Sequence, residues 1–160
     1  MASTEATKYE IKNGAAWITL DRPENRNALS AVLVAELYEH LVASNENPEV
    51  RCIIITGTDP AFCAGADLKS PPGSTIDGGK RSVPYPEVLS AIVNSDKPVI
   101  AAVNGAAFAG GLGMVGASDI VVVAEDIQCS FSEVRIGVCL LYTSDAADEG
   151  LGVDLGGRRI

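Results

Sequence analysis

The chain has 160 residues and a formal net charge of −9, a length that suits one ordinary domain. Its composition, 47% hydrophobic and 21% charged, excludes a disordered or fibrous protein. The acidic balance, with no basic stripe, argues against a nucleic-acid partner. No apolar run or leader pattern indicates a membrane partner or export, so we expect a cytoplasmic protein. The four cysteines lack CxxC spacing and predict neither a metal site nor disulfides.

The predicted elements alternate between strand and helix along the chain. Two strands joined at Asn13-Gly14 come first, and Ser30 then caps a helix. Further elements are predicted as strands at 52–56, 99–103 and 120–124 and helices at 86–95 and 109–117. This order is typical of the α/β class, and the apolar run at 52–56 predicts a strand buried on both faces.

Three segments carry the candidate chemistry, namely residues 61–69, 104–111 and 131–137. The first two consist mainly of small residues, so their backbone can approach a ligand closely. Their N–H groups could stabilise a developing oxyanion, and the carboxylate of Glu133 in the third segment could act as a base beside it. The residues alone therefore indicate an oxyanion hole with one acid/base group, and leave the substrate open.

Four sequence motifs resemble the successive signature segments of the crotonase superfamily, the enoyl-CoA hydratase/isomerase family. They read ITLDRPENRNALS, IIITGTDPAFCAGADLK, KPVIAAVNGAAFAGGLG and FSEVRIG, in the family's order between residues 9 and 138. The resemblance implies an α/β fold of the crotonase type, a spiral of ββα turns. It also implies an acyl-CoA substrate, no separate cofactor or metal, and assembly as a homotrimer or a dimer of trimers.

The same resemblance assigns roles to individual residues. The backbone N–H groups of Ala66 and Gly110 would form the oxyanion hole, and Glu133 would be the catalytic acid/base. Arg26 and Lys69 would be the best candidates for phosphate contacts. The residues implied in substrate and CoA binding are Asn25, Arg26, Ala28, Ala64, Asp67, Leu68, Lys69, Gly111 and Gly113.

Gly113 departs from the pattern of hydratases that use two acids, because many of those carry a glutamate there. One remaining carboxylate suffices either for hydration of a 2-enoyl-CoA or for isomerisation of a 3-enoyl-CoA. The strings GAAFAGGLGMV and CSFSEVRIG are most similar to hydratases of the methylglutaconyl-CoA type, which favours hydration. A non-catalytic CoA-binding fragment is the alternative from another class.

Simpler structural roles compete with several of these assignments. Asp67 is a candidate helix N-cap, and Arg26 and Lys69 could be ordinary surface cations. Cys63 lies in the first loop but has no histidine near it in sequence, which argues against a nucleophile. Residues 111–116 match GxGxxG formally, although several residues separate this motif from the preceding strand, which disfavours dinucleotide binding.

The sequence changes character at Cys139. Residues 139–160 resemble the translation of a sequencing-library adapter, and we expect this segment to be a non-native tail. Residues 1–138 would then be the N-terminal part of a crotonase core domain, truncated before the C-terminal helical region.

Overall fold

The computed structural model describes residues 6–70, 76 and 82–131. These described residues form eight strands and three α-helices, all within the compact unit that ends at Ser130. The strands are Thr7–Lys12 (β1), Ala15–Leu20 (β2), Cys52–Gly57 (β3), Ala61–Cys63 (β4), Val99–Val103 (β5), Ala106–Phe108 (β6), Ile120–Val123 (β7) and Cys129–Ser130 (β8). The α-helices are Ala31–Glu46 (α1), Tyr85–Val93 (α2) and Gly110–Ala117 (α3), and a 3₁₀ turn covers Pro23–Asn25.

The larger sheet has five strands in the order β1-β2-β3-β5-β7. Its first two strands form an antiparallel hairpin, and the other pairings are parallel. Asn13 and Gly14 both adopt positive φ angles, 54° and 80°, which suits a tight hairpin turn with the right twist. The predicted α/β class and the predicted hairpin are therefore confirmed.

The smaller sheet consists of β4, β6 and β8, all parallel, in that order. Its strands contain three, three and two residues. Hydrophobic alternation cannot be recognised over so few positions, so the sequence pattern predicts loops where β4 and β6 lie. These short strands position the candidate site.

Helix α1 covers one face of the larger sheet. The hydroxyl of Ser30 accepts a hydrogen bond from the N–H of Leu33 at 3.2 Å, which confirms the predicted N-cap. Leu33, Leu37 and Leu41 recur at helical spacing and are fully buried in the same core cluster as Ile53.

Strand β3 corrects the expectation of burial on both faces. Ile53 and Ile55 are fully buried on the side of α1, whereas Cys52, Ile54 and Thr56 are only partly buried. Successive side chains in a strand point to opposite faces, so the apolar run reflects one strongly buried face and one weakly covered face.

At the end of the larger sheet, all four side chains of β7 are exposed, from 42% for Val121 to 59% for Val122. Among the described residues, no helix is long and apolar enough to cross a membrane.

Candidate functional site

The carboxyl ends of β4 and β6 lead directly into the two loops of small residues. The strands pair in parallel, with Ala61 opposite Ala106, so both loops leave the sheet at the same edge. A Cβ built on Gly65 would lie 2.9 Å from the Cβ of Ala109 and 3.7 Å from the backbone nitrogen of Gly110. The two segments that contain the predicted oxyanion-hole residues are therefore in van der Waals contact.

Neither predicted N–H donor is used by the backbone hydrogen bonds that hold this edge together. Leu29 forms a bridge to Ala66, in which its N–H donates to Gly65 at 2.8 Å and its carbonyl accepts from Asp67 at 3.1 Å. In this pattern the N–H of Ala66 points away from Leu29. Gly110 is the first residue of α3, where an N–H has no intrahelical acceptor.

The turn into α3 depends on an unusual backbone conformation at Ala109. Its φ of 50° and ψ of −119° lie in a region that glycine adopts readily and that residues with a side chain rarely adopt. The N–H of Ala109 donates to the carbonyl of Ser130 at 3.1 Å, which ties the turn to β8. Nothing in the sequence pattern identifies this strained position.

Gly65 and Gly111 allow the two loops to approach each other. Gly65 has a φ of 91°, and its missing side chain leaves room for Ala109. A Cβ at Gly111 would lie 2.7 Å from the carbonyl oxygen of Cys63, so helix α3 packs directly on the backbone of β4. The first glycine of the GxGxxG match therefore serves packing between a helix and a strand.

An ion pair that no sequence pattern indicates anchors the first loop. Arg22 donates from Nη1 to Oδ2 of Asp67 at 2.9 Å and to the carbonyl of Ala28 at 3.1 Å. The other carboxylate oxygen of Asp67 accepts from the N–H of Lys69 at 3.0 Å. Burial opposes the ionisation of Asp67, but these hydrogen bonds outweigh it and lower the pKa of the carboxyl group.

Asp67 therefore caps a turn, and the helix N-cap interpretation is wrong, because the three residues after it form bends. Both oxygens of its buried carboxylate are occupied by protein donors.

Asn27 is a further structural residue that no sequence pattern singles out. Its fully buried side-chain amide accepts from the N–H of Arg22 at 2.9 Å and donates to the carbonyls of Thr58 and Ala61, at 2.8 and 2.7 Å. It also adopts a positive φ of 55°, which asparagine tolerates better than most residues. The polar string DRPENRN could have indicated such a turn.

The predicted CoA-binding residues outside helix α3 lie on adjoining loops, which the N–H of Ala64 joins by donating to the carbonyl of Arg26 at 3.0 Å, whereas Gly111 and Gly113 belong to α3. The structure divides them into two groups. Exposed side chains, available to a ligand, belong to Asn25, Arg26, Leu68 and Lys69. Ala28 is buried, and Ala64 is half-buried.

Gly113 faces helix α2. A Cβ built there would lie 3.4 Å from the hydroxyl of Tyr85 and 3.6 Å from both methyl carbons of Leu89. The space that Gly113 leaves is therefore bounded by these two side chains. Neither residue was identified from the sequence.

Cys63 is unsuited to act as a nucleophile. Burial raises the pKa of its thiol to about 12, although a hydrogen bond from the backbone of Gly65 opposes this rise. The thiol therefore stays protonated at neutral pH, as a small apolar group of the core.

Two predictions fall outside the described residues. They concern Glu133 as the acid/base group and the adapter-like segment 139–160, and both remain predictions.

Comparison with known proteins agrees with this architecture. The family model described as enoyl-CoA hydratase/isomerase matches residues 10–150, which include part of the adapter-like segment. This match covers most of the chain, so the chain belongs to the enoyl-CoA hydratase/isomerase family.

Individual relatives show the same similarity. A protein of Rhodobacter capsulatus named "Probable enoyl-CoA hydratase" is 39% identical over 138 residues, which are 85% of this chain and 52% of that protein. The mitochondrial enoyl-CoA hydratase of Pongo abelii is 37% identical over 132 residues, covering 82% of this chain and 45% of that protein. The chain thus spans about half the length of the curated relatives it matches.

The fold is also similar to a solved structure, that of an enoyl-CoA hydratase from Shewanella pealeana. The TM-score is 0.74 at 26% sequence identity, with 87% of this chain and 54% of that chain covered. The predicted crotonase-type fold is confirmed by this similarity.

Proposed function

We propose that this chain is part of an acyl-CoA lyase that adds water across the double bond of a 2-enoyl-CoA. One observation carries the proposal: the loops that contain Ala66 and Gly110 meet at one sheet edge, with Gly65 packed against Ala109. Two main-chain N–H groups near each other can both donate to the same thioester oxygen.

In the proposed reaction, these two N–H groups stabilise negative charge on the thioester oxygen as the enolate forms. A preorganised donor of this kind typically contributes about 3–4 kcal/mol of transition-state stabilisation. The donors are backbone groups of Ala66 and Gly110, so their direction depends on the backbone conformation of the loops and not on a side-chain rotamer.

Glu133 would supply the proton chemistry. Its carboxylate removes a proton from water while the hydroxyl adds to the β-carbon, and the resulting acid protonates the α-carbon. Strand β8 ends at Ser130, whose carbonyl accepts from Ala109 beside Gly110. Glu133 follows Ser130 by three residues in the sequence.

Arg26 and Lys69 are the proposed phosphate partners of the CoA nucleotide. Both are exposed and lie on loops joined by the hydrogen bond from Ala64 to Arg26. Cationic side chains can form charge-assisted hydrogen bonds with phosphate oxygens. The proposal requires no cofactor beyond the CoA thioester. We also propose that the protein is cytoplasmic and assembles as a homotrimer or a dimer of trimers.

Two alternative functions accompany this proposal. Because Gly113 provides no second carboxylate, Glu133 alone could shift a proton from C2 to C4 and isomerise a 3-enoyl-CoA. The similarity of GAAFAGGLGMV to hydratases of the methylglutaconyl-CoA type favours hydration of a branched substrate. A protein that binds CoA thioesters without turnover is the remaining alternative.

The experiment compares the two substrates with the complete gene product. Hydration removes the absorbance of the conjugated enoyl thioester of a 2-enoyl-CoA, whereas isomerisation of a 3-enoyl-CoA creates it. We expect loss from the 2-enoyl substrate, abolished by Glu133→Gln and retained in Glu49→Gln, a control at an exposed site. Gain from the 3-enoyl substrate alone would favour the isomerase, and binding without either change would favour the non-catalytic alternative.

A further inference from the structure

Tyr85, the first residue of α2, is packed against the first residue of α3. A Cβ built on Gly110 would lie 3.5 Å from Cε1 and 3.8 Å from Cζ of the Tyr85 ring. The same Cβ would also lie 2.8 Å from a methyl carbon of Leu29. An aromatic ring and an aliphatic side chain thus fill the space beside Gly110.

The Tyr85 hydroxyl also donates a hydrogen bond to the backbone carbonyl of Gly110. Burial raises the pKa of this hydroxyl well above 10, and the neighbouring Cys63 raises it further, while a backbone hydrogen bond from Met114 opposes the rise. The hydroxyl therefore keeps its proton across the physiological range. It is a permanent donor to α3.

Glycine has no side chain that would restrict its own φ and ψ angles. The N–H and the carbonyl of Gly110 belong to adjacent peptide units, so a fixed carbonyl also limits rotation of the N–H. Small errors in the placement of a catalytic group can reduce a rate by orders of magnitude. A hydrogen bond from another helix to the Gly110 carbonyl therefore also constrains the direction of the Gly110 N–H.

We propose that Tyr85 is a positioning residue that aims the Gly110 N–H at the thioester oxygen through its hydrogen bond to the Gly110 carbonyl. This inference rests on the proposed function, because it assumes that the Gly110 N–H polarises a CoA thioester. Tyr85 acts through the backbone of α3 and takes no part in proton transfer.

The test replaces Tyr85 by phenylalanine in the complete gene product. Two quantities are compared with the wild type: the kinetic constants for a 2-enoyl-CoA, and the infrared stretch of its ¹³C-labelled thioester carbonyl when bound. We expect kcat to fall about 10-fold, with KM changed less than about 2-fold, and the carbonyl shift on binding to shrink. Val88→Ala, which opens a cavity at a fully buried position one turn further along the same helix, should lower the melting temperature without reducing the shift.

A carbonyl shift that is identical in Tyr85→Phe and the wild type overturns the inference. If Tyr85→Phe does not fold, 3-fluorotyrosine introduced at position 85 keeps the ring and provides a stronger donor. An enlarged shift then supports the inference, and an unchanged shift overturns it.

Failure of the proposed function gives a different pattern. If the wild type shifts the carbonyl of the bound thioester but does not hydrate it, hydration is wrong and the comparison of shifts still decides the role of Tyr85. If the wild type produces no carbonyl shift, both proposals are overturned.

Discussion

The two halves of the candidate site are held in place by different kinds of interaction. The loop at residues 64–70, which contains Ala66, is anchored by the Arg22–Asp67 ion pair and by hydrogen bonds to the Arg22–Leu29 segment. The turn at residues 109–111, which contains Gly110, is anchored mainly by close packing of its small residues against Cys63, Leu29 and the ring of Tyr85. We expect the first half to respond to changes in charge and the second to changes in volume.

The largest effect is expected from a side chain added to the second half. In Gly111→Ala the new Cβ would lie 2.7 Å from the carbonyl oxygen of Cys63, and backbone cannot yield as a flexible side chain can. Overpacking of this kind typically destabilises by about 1–3 kcal/mol. Chemical denaturation should show a loss near the upper end of that range.

Gly116→Ala is the matched control, because a Cβ there meets no atom within 4 Å. The same substitution in the same helix should leave stability unchanged or raise it by about 0.5–1 kcal/mol. Equal losses in both variants would show that helix α3 does not pack on β4 as described.

The next effect tests the first half through charge. Asp67→Asn keeps the volume but leaves the guanidinium of Arg22, which is 20% exposed, with only the more distant carboxylate of Glu24, 3.8 Å from Nε. We expect a loss of about 2 kcal/mol in the free energy of unfolding. Asp96→Asn, away from this loop, provides a comparison with the same change in charge.

The pH dependence sharpens this test. The folded protein lowers the pKa of Asp67 below its ordinary value of 3.8, so the unfolded state binds the proton more tightly. The stabilisation is complete above about pH 5 and is lost as the pH falls through 3.8 towards the lower folded pKa. The free energy of unfolding, measured between pH 6 and pH 3, should therefore change less with pH in Asp67→Asn than in the wild type. An equal slope in both proteins would contradict the ion pair.

A smaller effect of opposite sign is expected at Ala109. Its backbone conformation costs about 1–3 kcal/mol for a residue with a side chain, and glycine would remove that cost while adding some unfolded-state entropy. Ala109→Gly should therefore stabilise the protein by about 1 kcal/mol. In Ala107→Gly, in the neighbouring strand β6, the same change should be destabilising, and a loss in both variants would argue against strain at Ala109.

The comparison also shows what could be predicted from the sequence. Residues 15–20, 52–56 and 99–103 contain enough apolar positions to reveal their strands, and the helix after Ser30 has a recognisable cap. The charged anchor was missed because Arg22 and Asp67 are 45 residues apart, so no local pattern relates them. The strained turn at Ala109 was missed because its conformation is imposed by packing between β6 and α3.

The site residues show the same division between local sequence patterns, which could be recognised, and tertiary contacts, which could not. The motifs indicated Ala66 and Gly110, because small residues in sequence mark places where backbone can be exposed to a ligand. Tyr85 lies 25 residues before Gly110, at the start of a different helix. Its contact with Gly110 depends on how α2 and α3 pack, which hydrophobic periodicity does not specify.

Strand β7 has a practical consequence for work with this protein. It presents four consecutive exposed aliphatic residues and, within the described part of the sheet, pairs only with β5. An aliphatic strand with an open edge is a template for pairing with other copies, and so for aggregation. Where β7 stays uncovered, aggregation through this strand would limit the protein concentration that a sample can reach. A lysine in place of Val122 would raise that limit without touching the site.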